Sequence, residues 1–409
     1  MSPIYEAVKE RMLRYARINT RSERYAGVWP TSACQRDLGH MLQMELEGLG
    51  LQDVFFDEPN CVVYAKIPEN APGTAFGLIA HMDTAPDAPG SCSPWVLENY
   101  DGGDIVLNEA EGIVMRAADY PNLKPYIGQD LILTDGTTLL GGDDKASIAA
   151  IMTFAEQLMQ HPELPHPEIA LAFTPDEEVG GLAHTLDLER FGVQTAYTLD
   201  GDHLGYYEDE TFNASAAKVE IKGVSVHTGT AKGIMKNAVD IAAQFMAALP
   251  AREKPQYTDG VQGFFHVLSC EASCEYAVLQ LIIRDFDAKS FRLRELFLKE
   301  LAEGLNRQYG EGTAKLTLTP QYRNMKEVLK EVPFTVEKLR QAIEDSGLTP
   351  VCEPFRGGTD GAALSFRGLP CPNLSAGYEN AHGRFEYVPI QSMEKNVEIL
   401  LRLAALYTE

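Results

Sequence analysis

Three short, almost unbroken apolar runs each end in a polar cluster, and no other feature constrains the fold as much. Ala75-Phe76-Gly77-Leu78-Ile79-Ala80 runs into His81-Met82-Asp83-Thr84. Glu168-Ile169-Ala170-Leu171-Ala172-Phe173-Thr174 delivers Pro175-Asp176-Glu177-Glu178, and Thr195-Ala196-Tyr197-Thr198-Leu199 delivers Asp200-Gly201-Asp202. Apolar character without alternation suits strands covered on both faces, as in parallel sheets. Between the first two runs, Ile148, Ile151, Met152, Ala155, Leu158 and Met159 recur at helical spacing, and the pattern stops near His161-Pro162. Strands alternating with helices predict an α/β domain whose site lies outside the carboxyl ends of the strands.

That helix follows Leu139-Leu140-Gly141-Gly142-Asp143-Asp144-Lys145, where the glycines permit a tight backbone entry and an aspartate, Asp144 by preference, can cap the first turn. Upstream, residues 1–17 and 31–49 read as amphipathic helices and Cys61–Ile67 as a strand. Residues 85–130, rich in Gly, Pro, Asn and Asp, read as a long irregular insertion of the kind that is often functional. From about residue 213 to 322 the order becomes strand, helix, strand, strand, helix, strand, which is the split βαβ arrangement of a ferredoxin-like α+β domain. The chain then returns to a helix over 335–346, a turn at Arg356-Gly357-Gly358-Thr359-Asp360-Gly361, a short strand, and a last helix over 390–406, with Ala381-His382-Gly383-Arg384 before it. The expected division is 1–210 and 324–409 for one domain, with 211–323 inserted into it.

His81, Asp143, Glu178, Asp200 and His382 supply imidazole nitrogen and carboxylate oxygen, the donors that zinc and similar divalent ions take. A carboxylate has two oxygens, so one of the acids can serve two ions, and five ligands suit a two-metal hydrolytic site. Hydrolysis also needs a carboxylate that is not a ligand, to move the proton of the attacking water, and Glu177 can fill that role. Asp83, two residues after His81 and on the same side of an extended segment, is placed to orient the imidazole. Each element has a plainer reading: a hydrogen-bonded histidine, a solvated acidic turn, or common Asp-Gly turn chemistry. Their joint occurrence at successive strand ends is what the plainer readings explain poorly.

Composition narrows the partners. The net charge of −24 argues against nucleic acid and anionic membrane as partners, since both select basic surfaces. No apolar run is long enough to span a bilayer. The seven cysteines are scattered, without a Cys-x-x-Cys pair, which suits reduced thiols in the cytoplasm.

His81–Thr84, residues 134–146, Thr174-Pro175-Asp176-Glu177-Glu178-Val179-Gly180, Tyr197–Gly201, residues 226–233, Ile283–Asp287 and residues 356–362 together resemble the M20 family of co-catalytic zinc peptidases, and within it the tripeptide aminopeptidase branch. The likeness spans essentially the whole chain. It implies a mixed-sheet catalytic domain with a ferredoxin-like lid able to pair two chains as a homodimer, and a small-peptide substrate. It implies two zinc ions, replaceable by manganese or cobalt, with Asp143 bridging, His81 and Asp200 on one, Glu178 and His382 on the other. Glu177 is then general base and acid, and Asp83 orients His81. His227 reaches the substrate or its oxyanion, in its own site or a partner's, Arg356 holds the peptide's carboxylate, and Arg284 either shares that task or forms a structural ion pair. Three positions depart from the family pattern: Thr228 stands where Pro is usual, Gly142 is the second residue of the turn, and Glu379 is unexpected before His382. Other M20 reactions (dipeptidase, carboxypeptidase, N-acyl amino acid deacylase) and a non-catalytic peptide or metal binder remain alternatives.

Overall fold

In the computed structural model, residues 2–181 and 185–408 are described, and the chain divides into two compact units. The first comprises Met1–Asp209, Glu327–Glu353 and Thr359–Glu409, and the second Glu210–Lys326 with Pro354–Gly358.

The first unit is built on a mixed sheet with strands in the order Gln52–Asp57, Val62–Ile67, Ile169–Thr174, Phe76–His81, Ala196–Leu199, Asn373–Leu374, Tyr206–Glu208 and Val351–Cys352. Its four central strands, from Ile169–Thr174 to Asn373–Leu374, run parallel. Successive residues of these strands and of the neighbouring Val62–Ile67 feed opposite cores. Val63, Leu78, Leu171 and Phe173 join Val8, Met12, Ile151 and Leu400 on one face. Tyr64, Ile79, Ala170 and Ala172 join Phe191, Leu364 and Leu369 on the other. Both faces are dry, which is why the strands read as continuous apolar runs. The helices Pro3–Ala16, Gly142–Gln160 and Ile390–Leu406 pack together over the first face.

Residues 85–130 are not the irregular insertion expected. They hold the strands Trp95–Leu97, Ile105–Asn108 and Ile113–Met115 and a turn of 3-10 helix, Pro121–Tyr126. These surround a separate core of Tyr100, Leu107, Met115, Leu123, Tyr126 and Tyr387. Trp95–Leu97 pairs with Leu131–Leu133, which pairs in turn with Val388–Pro389 from near the end of the chain.

The second unit has a four-stranded antiparallel sheet, in the order Phe264–Ala272, Tyr276–Asp285, Asn213–Lys222, Ala314–Tyr322. The helices Ala238–Ala248 and Ala288–Tyr309 complete the ferredoxin-like arrangement. Val219, Ile241, Phe245, Leu279, Ile283 and Leu298 fill its own core. Pro354–Gly358 groups here because Thr211 bridges Phe355 and the Phe355 N–H donates to Glu210 O.

Candidate metal centre

The first unit collects the candidate ligands at the carboxyl ends of its four parallel strands. His81 closes Phe76–His81, Glu177 and Glu178 follow Ile169–Thr174, Asp200 follows Ala196–Leu199, and the loop after Asn373–Leu374 leads to His382. Asp143 enters from the side, at the start of Gly142–Gln160, where Gly141 takes φ +76°. The regular helix begins only after Asp144, since both aspartates have non-helical backbone angles. The expected cap is not formed: no side chain caps Gly141, and Asp144 Oδ2 instead accepts the His81 N–H at 3.1 Å.

Asp143 lies between the two imidazoles. His81 Nε2 is 2.9 Å from Asp143 Oδ1, and His382 Nε2 is 3.1 Å from Asp143 Oδ2 and 2.9 Å from Glu178 Oε2. Candidate ligand atoms of His81, Asp143 and Glu178 all lie within 4.8 Å of one another, as do those of His81, Glu177 and Asp200. All six predicted metal and general-base residues therefore share one cluster. Asp83 meets His81 Nδ1 with its main-chain O at 3.1 Å and its Oδ1 at 3.2 Å, leaving Nε2 free to face the cluster. It also accepts the N–H groups of Glu177 and Glu178, at 2.9 and 3.2 Å. One residue thus holds both the His81 ring and the turn that carries the acid pair.

The electrostatics fit a centre built for positive charge. Burial, reinforced by Asp143, raises Glu178 to about 8 and Asp200 to about 6. Burial likewise pushes Glu177 well above the usual carboxylate range, with Asp200, Asp360 and Glu178 adding to it against the pull of His81. Hydrogen bonds to Asp143 and Glu178 lift His382 to about 11. Burial opposes charge on Asp143 too, yet the two imidazoles outweigh it and hold that acid low. Crowded carboxylates resist ionising together unless cations sit among them. The nitrogen and oxygen donor set, with one acid spanning two histidines, fits a pair of divalent ions.

The family comes from the chain's likeness to known proteins. Residues 138–406 match the sequence profile of Peptidase family M20/M25/M40. The chain belongs to that family. It is also 46% identical to peptidase T of Geobacillus kaustophilus over 403 residues, covering 98% of each chain. Among solved structures, aminopeptidase PepT from Bacillus cereus superposes with a TM-score of 0.80 at 21% identity, covering 99% of each chain. A Bacillus subtilis protein described as a dinuclear metal binding peptidase from the M20 family gives 0.69 at 15% identity, with 98% of each chain covered. These last two share the fold.

Within this M20 chain two of the three departures, Gly142 and Glu379, acquire physical reasons. A Cβ on Gly142 would meet a Val388 methyl at 2.5 Å and Glu386 Oε1 at 3.0 Å, so glycine keeps that approach open. Glu379 is buried and accepts from Tyr126 Oη, His203 Nδ1 and Asn122 Nδ2 at 2.7, 2.8 and 2.9 Å, tying the His382 loop to Pro121–Tyr126. Asn380 and His382 in that loop both take φ +60°, a conformation costing a non-glycine residue roughly 1–3 kcal/mol that surrounding contacts must offset.

The remaining predicted residues lie in the second unit. His227 is exposed, and its Nδ1 accepts the Gly229 N–H at 3.2 Å, at the start of the short turn Thr228–Thr230. Arg284 rests 5.2 Å from the Tyr322 ring and donates to Ile283 O at 2.9 Å; among the described residues the ion pair considered for it is not formed. Arg356 donates to Gly260 O, Gln262 O and Thr258 Oγ1, and sits 5.1 Å from the Phe212 ring.

The residues that sequence reasoning passed over hold the candidate ligands in place. Tyr378 Oη donates to Asp200 Oδ1 at 2.5 Å and accepts the Gly201 N–H at 2.7 Å. Glu386 receives main-chain N–H groups of the Asp143 turn. The only sequence signal was position, four residues either side of His382.

A prediction concerns Asp83. Asp83→Asn keeps the shape but offers only one accepting oxygen where His81, Glu177 and Glu178 now share two. Such outer partners carry about 10–100-fold in metal affinity or activity. A loss of that size is expected in kcat/KM, with zinc affinity read by competition against a chromophoric chelator. Parent values in both measurements would remove Asp83 from the centre.

Proposed function

We propose that this chain is a dinuclear metal-dependent aminopeptidase that releases the N-terminal residue from tripeptides. The observation that carries the dinuclear part is Asp143, with one carboxylate oxygen toward His81 and the other toward His382, and the likeness to peptidase T supports the tripeptide substrate. Asp143 would be shared by two ions, with His81 and Asp200 completing one position and Glu178 and His382 the other. Bound there, the ions supply a Lewis acid for the peptide carbonyl and a water of lowered pKa. Zinc suits the donors, and manganese or cobalt could occupy the same set.

Glu177 takes the proton of the attacking water and passes it to the leaving amine. Its environment supports that role, because a carboxylate whose proton affinity is raised by burial and neighbouring acids accepts a proton readily. Asp83 holds the backbone of Glu177, so the carboxylate is aimed before substrate arrives. His227, Arg284 and Arg356 are the proposed substrate-holding groups, and the second unit that bears them the proposed lid, where two chains could also pair. The seven free thiols agree with a cytoplasmic enzyme. No helix among the described residues is long and apolar enough to cross a membrane.

The competing readings are another M20 hydrolase and a binder without turnover. Purified, zinc-loaded protein assayed against di-, tri- and tetrapeptides with free and blocked N-termini separates them. Tripeptides with a free amine are expected to be cleaved fastest. Cleavage of blocked peptides, or indifference to length, would favour a carboxypeptidase or deacylase, and no turnover on any peptide would favour the binder.

A further inference from the structure

Glu386 is 3% exposed and has no part in the reading above. Its two oxygens serve one turn. Oε2 accepts the N–H groups of Leu140 and Gly141 at 3.0 and 2.9 Å, and Oε1 accepts the N–H of Asp143 at 2.9 Å. Hydrogen bonds from main-chain N–H groups to a buried carboxylate are charge-assisted and directional. The carboxylate gets close enough because Gly142 has no Cβ, which would stand 3.0 Å from Oε1.

Glu386 also belongs to the His382 turn, since its own N–H donates to Gly383 O at 3.2 Å. One side chain therefore ties the backbone of the acid between the imidazoles to the segment supplying one of those imidazoles. Any rotation of Asp143 about its backbone moves Oδ1 relative to His81 and Oδ2 relative to His382 together. The Asp143 N–H is the nearest main-chain group through which that rotation can be set.

We propose that Glu386 is a positioning residue of the metal centre, which sets the angle at which Asp143 presents its two oxygens, so that both metal positions depend on it equally. This rests on the reading of Asp143 as the shared ligand. Glu386 need touch neither ion nor substrate. Its effect should fall on metal affinity and leave substrate affinity alone.

The test uses the full chain as Glu386→Gln and Glu386→Asp, with Asp143→Asn as control, and zinc as the probe. Glutamine offers a donor on the arm where Asp143 needs an acceptor, and aspartate is one methylene too short to serve all three N–H groups. Zinc affinity for both positions is read by competition with a chromophoric chelator, beside thermal melting, KM and kcat. Glu386→Gln is expected to bind both ions about 10–100-fold more weakly. Excess zinc should restore kcat with KM unchanged, and Glu386→Asp should fall between parent and Glu386→Gln. If Glu386→Gln does not fold, the same joint weakening in Glu386→Asp decides the matter. Parent zinc affinity with a lowered melting temperature, or weakening of one position alone, would overturn the proposal. If Asp143→Asn empties both positions while the Glu386 variants bind normally, the positioning role fails and the shared ligand stands. If Asp143→Asn keeps both ions, the shared-ligand reading falls and takes this proposal with it.

Discussion

Glu177→Gln is expected to fold, bind metal as the parent does, and lose about 10²–10⁴-fold in kcat, the usual contribution of a positioned general base or acid. The change is isosteric. The Glu177 N–H that Asp83 holds is untouched, and so are the contacts of His81 and His382 to Asp143. What disappears is the capacity to carry a proton. KM should change little, because the carboxylate acts on water and leaving amine and not on the resting peptide. Single-turnover measurements on zinc-loaded protein, with metal content determined on the same sample, check this. Near-parent turnover would mean that another carboxylate moves the proton, and the buried Asp360 beside Glu177 would be the next to examine.

The second large effect is expected at Asp143. Asp143→Asn replaces an acid that meets both imidazoles by an amide with a single accepting oxygen. On the proposed reading, the charge that would serve two cations is lost, and one imidazole faces a donor. Metal content should fall at both positions at once, and activity with it, beyond recovery by excess zinc. The metal-free protein should be destabilised by about 1–3 kcal/mol if the buried His81 loses its partner, measured by denaturant unfolding. Two ions per chain by elemental analysis would show that Asp143 is not shared.

Much of the cluster was legible in the sequence because strands buried on both faces leave an unmistakable apolar run, and whatever follows such a run projects from a sheet edge. His81, Glu178 and Asp200 follow such runs, and Asp143 and His382, each next to a glycine, add matching donors; which of them share an ion is implied only by the resemblance to the M20 family. The rest was hidden for physical reasons. Trp95–Leu97 and Leu131–Leu133 are too short for period-two patterning to show, and their order depends on a strand that comes some 250 residues later in the chain. Arg356 follows the strand Val351–Cys352 of the first unit, yet its guanidinium lies on carbonyls of Gly260 and Gln262, a pairing with no sequence mark. Glu386 and Asp144 bind main-chain N–H groups, which every residue possesses, so nothing in the residue types advertises the contact.

The chain order of the ligands bears on how such a protein is made. His81, Asp143, Glu178 and Asp200 all precede Glu210, where the chain leaves for the second unit, while His382 and the strand Asn373–Leu374 beside Ala196–Leu199 come after the return. On a ribosome, the second unit, with its own core, is synthesised before the first can close. A nascent chain therefore carries a half-built acidic pocket while the whole second unit is made, and gains the His382 imidazole only afterwards. On the proposed reading, a product cut short before His382 would lack one of the five candidate ligands and should not hold both ions.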